Sequence, residues 1–151
     1  MNSLIQAQEE LNFPTVHFEA KGIQANWVTH PEISGGENVA VLFRNVFEVN
    51  ELQEDFIINI SADNHYFLYV NDKFVTHGPQ LSDIRHCKYE TLNLKDYLVK
   101  GKNVVAIKVL NYGKRRFLGM QSIFTSLMVN ACTDNASLLT TKGATDGWRC
   151  M

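Results

Sequence analysis

Between Val39 and Val49 the chain alternates apolar and other residues with a period of two, and this alternation limits the fold more than any other feature. Val39, Val41, Phe43, Phe47 and Val49 fall on one side of an extended segment, with Asn45 the polar exception. A helix would scatter these residues around its axis, whereas a strand places them on one face. The pattern returns in Phe56, Ile58, Ile60 and Ala62, with Asn59 and Ser61 on the opposite side. Next, the runs YFLYV and KFV flank Asn71-Asp72. Both turn residues tolerate positive φ, which is the signal of a two-residue hairpin. Further strands are expected over Lys88–Leu94, Asn103–Tyr112 and Met120–Val129, with a short last one near Trp148. In the third of these, Ile123, Thr125, Leu127 and Val129 share a side.

Helical signal is sparse. Ser3 is placed to cap a short helix or turn over Leu4 to Leu11, and Lys95–Leu98 reads as a single helical turn. Many short strands with turn residues between them and few helices read as an all-β sandwich or barrel. The 151 residues suit one domain spanning 1–151. A chain of this size buries enough surface to fold without a disulfide or a metal.

Charge narrows the partners. Fourteen basic against sixteen acidic residues leave a net charge of -2, with no electrostatic footprint for nucleic acid or an anionic membrane. No apolar run approaches the ~20 residues of a membrane span. The first residues, MNSLIQAQEELNF, lack the basic and apolar regions of a signal peptide. Cys87, Cys132 and Cys150 show no pairing pattern and read as free thiols. The sequons at Asn59 and Asn135 read as chance matches.

Catalytic motifs are missing. Neither a phosphate-binding glycine loop nor a G-x-S-x-G elbow occurs. His86-Cys87 are neighbours, and neighbours on a strand point to opposite faces. His77, Asp83, His86 and Cys87 are ligand-type residues close in sequence, but their spacing fits no regular zinc pattern, and loop-shaping hydrogen bonds are the expected role. Neither a metal nor a cofactor is expected. Sixteen acids leave room for a glycosidase-type pair, but nothing in the sequence selects one. Asp63-Asn64-His65 reads either as an Asx-type turn or as an edge that hydrogen-bonds sugar hydroxyls. Arg44 reads either as a charge on an exposed face or as a ligand-facing group.

The ordered elements FRNVFEV (Phe43–Val49), ISADNHYFLYVNDKFVTHGP (Ile60–Pro79), a loop with Asp83, and HCKYETLNLKDYLVKGKNVVAIKVLNYG (His86–Gly113) resemble a known family. They are similar to the N-terminal β-sandwich domain of bacterial α-L-rhamnosidase-type glycoside hydrolases. Gln121-Ser122, Leu139-Thr140-Thr141 and Trp148-Arg149 extend the likeness. The chain departs from the family pattern at Asp72 and Ser82, where glycine is usual, and at Leu81, where arginine is frequent. It departs again at Cys87 and Leu110, where tryptophan is frequent. Each change keeps turn chemistry or apolar character.

The resemblance implies a galactose-binding-like jelly-roll β-sandwich. In that family the catalytic acids lie on a separate downstream helical toroid. The chain is therefore expected to be a non-catalytic accessory domain, a fragment of a longer multidomain protein. Its partners would be the downstream domains and rhamnose-containing carbohydrate, in a periplasmic or extracellular setting like that of the bacterial relatives. A free-standing carbohydrate-binding module and a protein–protein interaction sandwich are the alternatives. The residues placed to face a sugar by motif and chemistry are Arg44, Asn64, Asp83, His86 and Tyr89.

Overall fold

The computed structural model describes residues 6–7, 22–33, 36–83, 87–117, 120–142 and 147–151. Their strands are β1 (Gln6–Ala7), β2 (Val28–Thr29), β3 (Asn38–Val49), β4 (Ile57–Asp63), β5 (His65–Val70), β6 (Lys73–Gly78), β7 (Glu90–Asn93), β8 (Gly101–Tyr112), β9 (Ser126–Ala131) and β10 (Arg149–Cys150). They form two five-stranded antiparallel sheets, ordered β10-β3-β8-β5-β6 and β1-β2-β9-β4-β7. The protein is a β-sandwich, one of the two architectures the alternation allows and the one the resemblance implies.

The backbone of the first sheet is the long β3–β8 pair, in register from Asn38↔Tyr112 to Val49↔Gly101. Its inward residues are those the period of two selects. Val41 and Phe43 from β3, Leu68 from β5, and Ile107 and Val109 from β8 are buried against Ile58 and Ile60 of β4 and Leu127 and Val129 of β9. Burying a side chain of this size is worth roughly 1.5–3 kcal/mol. Asn45, the polar exception, is also buried, and its Nδ2 donates to the carbonyl of Leu138 at 3.3 Å. Trp148 closes the core near β10, its indole N–H donating to the Leu139 carbonyl at 3.0 Å.

The hairpin forms where Asn71-Asp72 predicts it. These residues have φ of 50° and 64°, the left-handed values of a type I′ turn. Lys95–Tyr97 make the expected single turn, of 3-10 type.

Two segments differ from the sequence reading. Gln6–Ala7, inside the expected N-terminal helix, are extended and pair with β2. The rest of that segment lies outside the described residues. The strand expected from Met120 begins only at Ser126, because the amides of Ile123 and Phe124 are taken by the Asp63 carboxylate and cannot join a ladder. From Ser126 to Asn130 every residue of β9 is buried. A strap at Thr140–Thr141 hydrogen-bonds back onto Val129 and Ala131.

Candidate functional site

The sequence points to the β4–β5 corner and the loop after β6, and these two segments line one cleft. It is narrow and half-open, with a volume of about 50 Å³. Asp63 and Asn64 supply one wall, Pro79 to Asp83 a second, and Cys87 with Gln121 and Ile123 the remainder.

Asp63 ends β4 with its carboxylate turned into the fold. One oxygen accepts the amide protons of Ile123 at 2.6 Å and Phe124 at 3.1 Å, and the other accepts from Asn64 Nδ2 at 2.8 Å. Burial pushes its pKa above the ordinary carboxylate value. The hydrogen bonds and the charge of Arg116 pull the other way and do not prevail.

Asn64 is buried and both ends of its amide are used. Nδ2 also donates to the Gln121 carbonyl at 3.2 Å, and Oδ1 accepts from the Tyr112 amide at 3.2 Å. Beside it, Asn111 Nδ2 donates to the Ser122 hydroxyl at 2.9 Å while Oδ1 accepts the Gly113 amide at 2.8 Å. Gly113 has φ of +54°, and a Cβ there would stand 2.7 Å from the backbone of Gly36, Glu37 and Asn38. Ser61 donates to the Lys88 carbonyl at 2.6 Å, and Ser82 Oγ accepts the Lys88 amide at 3.3 Å. The SADN and LNYG segments thus act as joinery beneath the cleft.

The other nominated residues are distributed unevenly. Asp83 lies exposed on the cleft wall with Asn64 nearby in the lining. Tyr89 is 37% exposed ahead of β7 and is not part of that lining. Arg44 projects from the outer face of the first sheet, opposite Ala106 on β8 and Arg149 on β10. His86 lies outside the described residues. The structure therefore brings Asn64 and Asp83 together and places Arg44 and Tyr89 elsewhere.

Cys87 in the cleft has its thiol pKa raised by burial first and by the charges of Asp63 and Asp83 second. At neutral pH it is a thiol, not the thiolate a nucleophile or metal ligand needs. His77 lies on the outer face of β5–β6, its ring tilted against those of His65 at 5.2 Å and Phe67 at 6.0 Å. Among the described residues, no group of three or more His, Cys, Asp or Glu side chains gathers as a metal site. No helix among them is long and apolar enough to cross a membrane.

Sequence reasoning missed the bond between the Tyr66 hydroxyl and the Glu90 carboxylate, which joins β5 of one sheet to β7 of the other. Glu90 fits there because position 78 is glycine; a Cβ at Gly78 would overlap its carboxylate. A tyrosine within the apolar face of β5 was the available signal, since a buried hydroxyl needs a partner.

No protein-family model matches the chain, and no curated protein matches it. Solved structures do. A GH78-family rhamnosidase of Bacillus sp. GL1 is 23% identical, with a TM-score of 0.73 over 87% of this chain and 14% of its own. An α-L-rhamnosidase of Streptomyces avermitilis, complexed with L-rhamnose, is 16% identical, with a TM-score of 0.54 over 99% of this chain and 14% of its own. An α-L-rhamnosidase of Dictyoglumus thermophilum is 16% identical, with a TM-score of 0.55 over 85% of this chain and 16% of its own. The chain spans about one seventh of the length of the first two enzymes, and its β-sandwich is a fold that all three contain.

Proposed function

We propose that this chain serves as a non-catalytic accessory domain of an α-L-rhamnosidase-type glycoside hydrolase, packing against neighbouring domains and contacting carbohydrate. The observation that carries this reading is the likeness to the Bacillus rhamnosidase over 87% of the chain, in the same family that the ordered sequence elements resemble. The chemistry of the cleft supports the non-catalytic part. A glycosidase needs two carboxyl groups free to exchange protons or attack the sugar. Asp63 is instead engaged by two backbone amides and an asparagine.

A packing role is supported by the outer face of the first sheet. Leu42, Val46 and Phe74 are 45%, 42% and 51% exposed there, beside Arg44 and Lys108. Exposed apolar side chains on one sheet face offer surface for a neighbouring domain to cover.

The test has two arms. The purified chain, incubated with an aryl α-L-rhamnoside, is expected to release no phenol. Substituted for the equivalent segment of the Bacillus enzyme, it is expected to give a soluble chimera that does. Turnover by the isolated chain that disappears in Asp63→Asn or Asp83→Asn would overturn the reading. So would an insoluble chimera built from a chain that is soluble alone.

A further inference from the structure

A second depression lies apart from the cleft, at the end of the sandwich where β3 runs into β4. It is an open groove with a volume of about 330 Å³, against about 50 Å³ in the cleft. None of the described sugar-facing candidates, Arg44, Asn64, Asp83 and Tyr89, lines it. Its floor is apolar, formed by Phe56 and Leu98, both buried, with Phe56 stacked on Phe47 at 5.8 Å. Its rim carries the amides Asn50, Gln53 and Asn135, the carboxylates Glu48 and Glu51, and the ammonium of Lys95.

The rim is held in place. The Asp55 carboxylate accepts from Asn93 Nδ2 at 2.8 Å, and the Asp55 carbonyl accepts from Asn135 Nδ2 at 2.8 Å. Asn93 Oδ1 accepts the amides of Phe56 at 3.0 Å and Lys95 at 3.1 Å. Such cross-ties set the groove before any ligand arrives, which lowers the ordering cost of binding. One polar atom stays unsatisfied: Asn135 Oδ1 is buried and has no hydrogen-bond partner among the described residues. That atom is shut off from the groove, so the groove meets a ligand through its exposed rim amides, Asn50 and Gln53.

We infer that this groove binds a single neutral sugar unit. A pyranose offers hydroxyls that both donate and accept, matching side-chain amides, and a C–H face that matches the apolar floor. Two carboxylates against one ammonium disfavour an anionic ligand. The inference deepens the carbohydrate contact proposed above and moves it from the cleft to this end of the sandwich.

The test follows backbone amide shifts of the 15N-labelled chain during titration with methyl glycosides of L-rhamnose, D-mannose, D-galactose and D-glucose, and separately with methylammonium. The expected result is a saturating shift for at least one glycoside, centred on residues 48–56, 95–98 and 135. Asn50→Ala, which removes an exposed rim amide, should weaken that glycoside about tenfold, the loss of one good hydrogen bond. Gln53→Ala, a second exposed rim change, should weaken binding about threefold. Saturation by methylammonium alone, shifts confined to Asp83 and its cleft, or no saturation by any glycoside would each overturn the inference. Those outcomes leave the two-arm enzyme test untouched, so the groove can fail while the domain reading stands.

Discussion

Asn71 and Asn103 hydrogen-bond to each other at the turn of the β5–β6 hairpin, Nδ2 of the first donating to Oδ1 of the second at 2.8 Å. Every polar atom of both side chains is engaged. Asn71 Nδ2 also donates to the Tyr97 carbonyl, and its Oδ1 accepts the Val104 amide. Asn103 Oδ1 accepts the Val99 amide, and its Nδ2 donates to the carbonyls of Val99 and Gly101. Two asparagines thereby fasten a turn, a 3-10 turn and the start of β8.

The pair separates two roles that a hairpin turn combines. Asn71→Gly keeps the positive φ and removes the clamp. It should lower stability in urea by about 2 kcal/mol, because buried partners lose their bonds. Asp72→Gly keeps the clamp and relieves an L-residue at φ of 64°. It should leave stability unchanged or raise it, glycine being the preferred second residue of a type I′ turn. Equal losses in both variants would show that the turn backbone, not the asparagine network, holds this corner.

The Tyr66–Glu90 bond predicts a response to alkali. Burial first, and then the hydrogen bond and charge of Glu90, push the Tyr66 pKa far above the ordinary phenol value. Below pH about 10 the folded and unfolded chains both keep the proton, and the contribution is full. Above that, the unfolded chain ionises while folded Tyr66 does not, so this stability is lost as pH rises. Tyr66→Phe should cost about 2 kcal/mol at neutral pH. It should also flatten the alkaline fall measured by urea unfolding between pH about 9 and about 11. A variant with the wild-type alkaline slope would rule out Tyr66 as its source.

The strands were legible in the sequence because a sandwich face imposes its period directly on the apolar residues. Val41, Phe43, Ile58 and Ile60 are buried where alternation puts them. The candidate site was legible only in part. Asp63, Asn64, Asn111 and Gly113 stand out as a motif, but a motif records that a polar side chain is required, not whether backbone or ligand requires it. For Asn64 the partners are the Tyr112 amide and the Gln121 carbonyl, both distant in sequence and joined only by folding. The groove at the β3–β4 end left no pattern because its lining comes from three segments far apart in the chain, 48–56, 95–98 and 135.

Burial orders the cysteines. Cys132 is exposed, whereas Cys150 is 1% exposed in β10 with its thiol pushed up to about 11 by burial. Alkylation proceeds through the thiolate. Iodoacetamide at pH about 8, near the ordinary thiol pKa, should therefore label Cys132 in the native chain and Cys150 only after unfolding. Peptide mass mapping with and without urea reads the order. Native labelling of Cys150 at the rate of Cys132 would mean that β10 opens readily from the edge of its sheet.

Asp63 offers the corresponding measurement in acid. Its pKa is raised because burial outweighs the hydrogen bonds from Ser122, Ile123 and Phe124 and the charge of Arg116. A carboxyl that holds its proton more tightly when folded contributes stability that is fully present below its ordinary value. That contribution fades as pH rises through the folded value, and at neutral pH the ionised group is a net burden on the β4–β5 corner. A 13C titration of the Asp63 carboxyl should give a midpoint above 3.8, the ordinary value for aspartate. Asp63→Asn should remove the part of the pH dependence of stability that lies between that ordinary value and the measured midpoint. A midpoint at or below the ordinary value would mean that the two backbone amides outweigh burial. Asp63 would then be a stabilising anion, and acid would loosen the corner that carries Asn64 into the cleft.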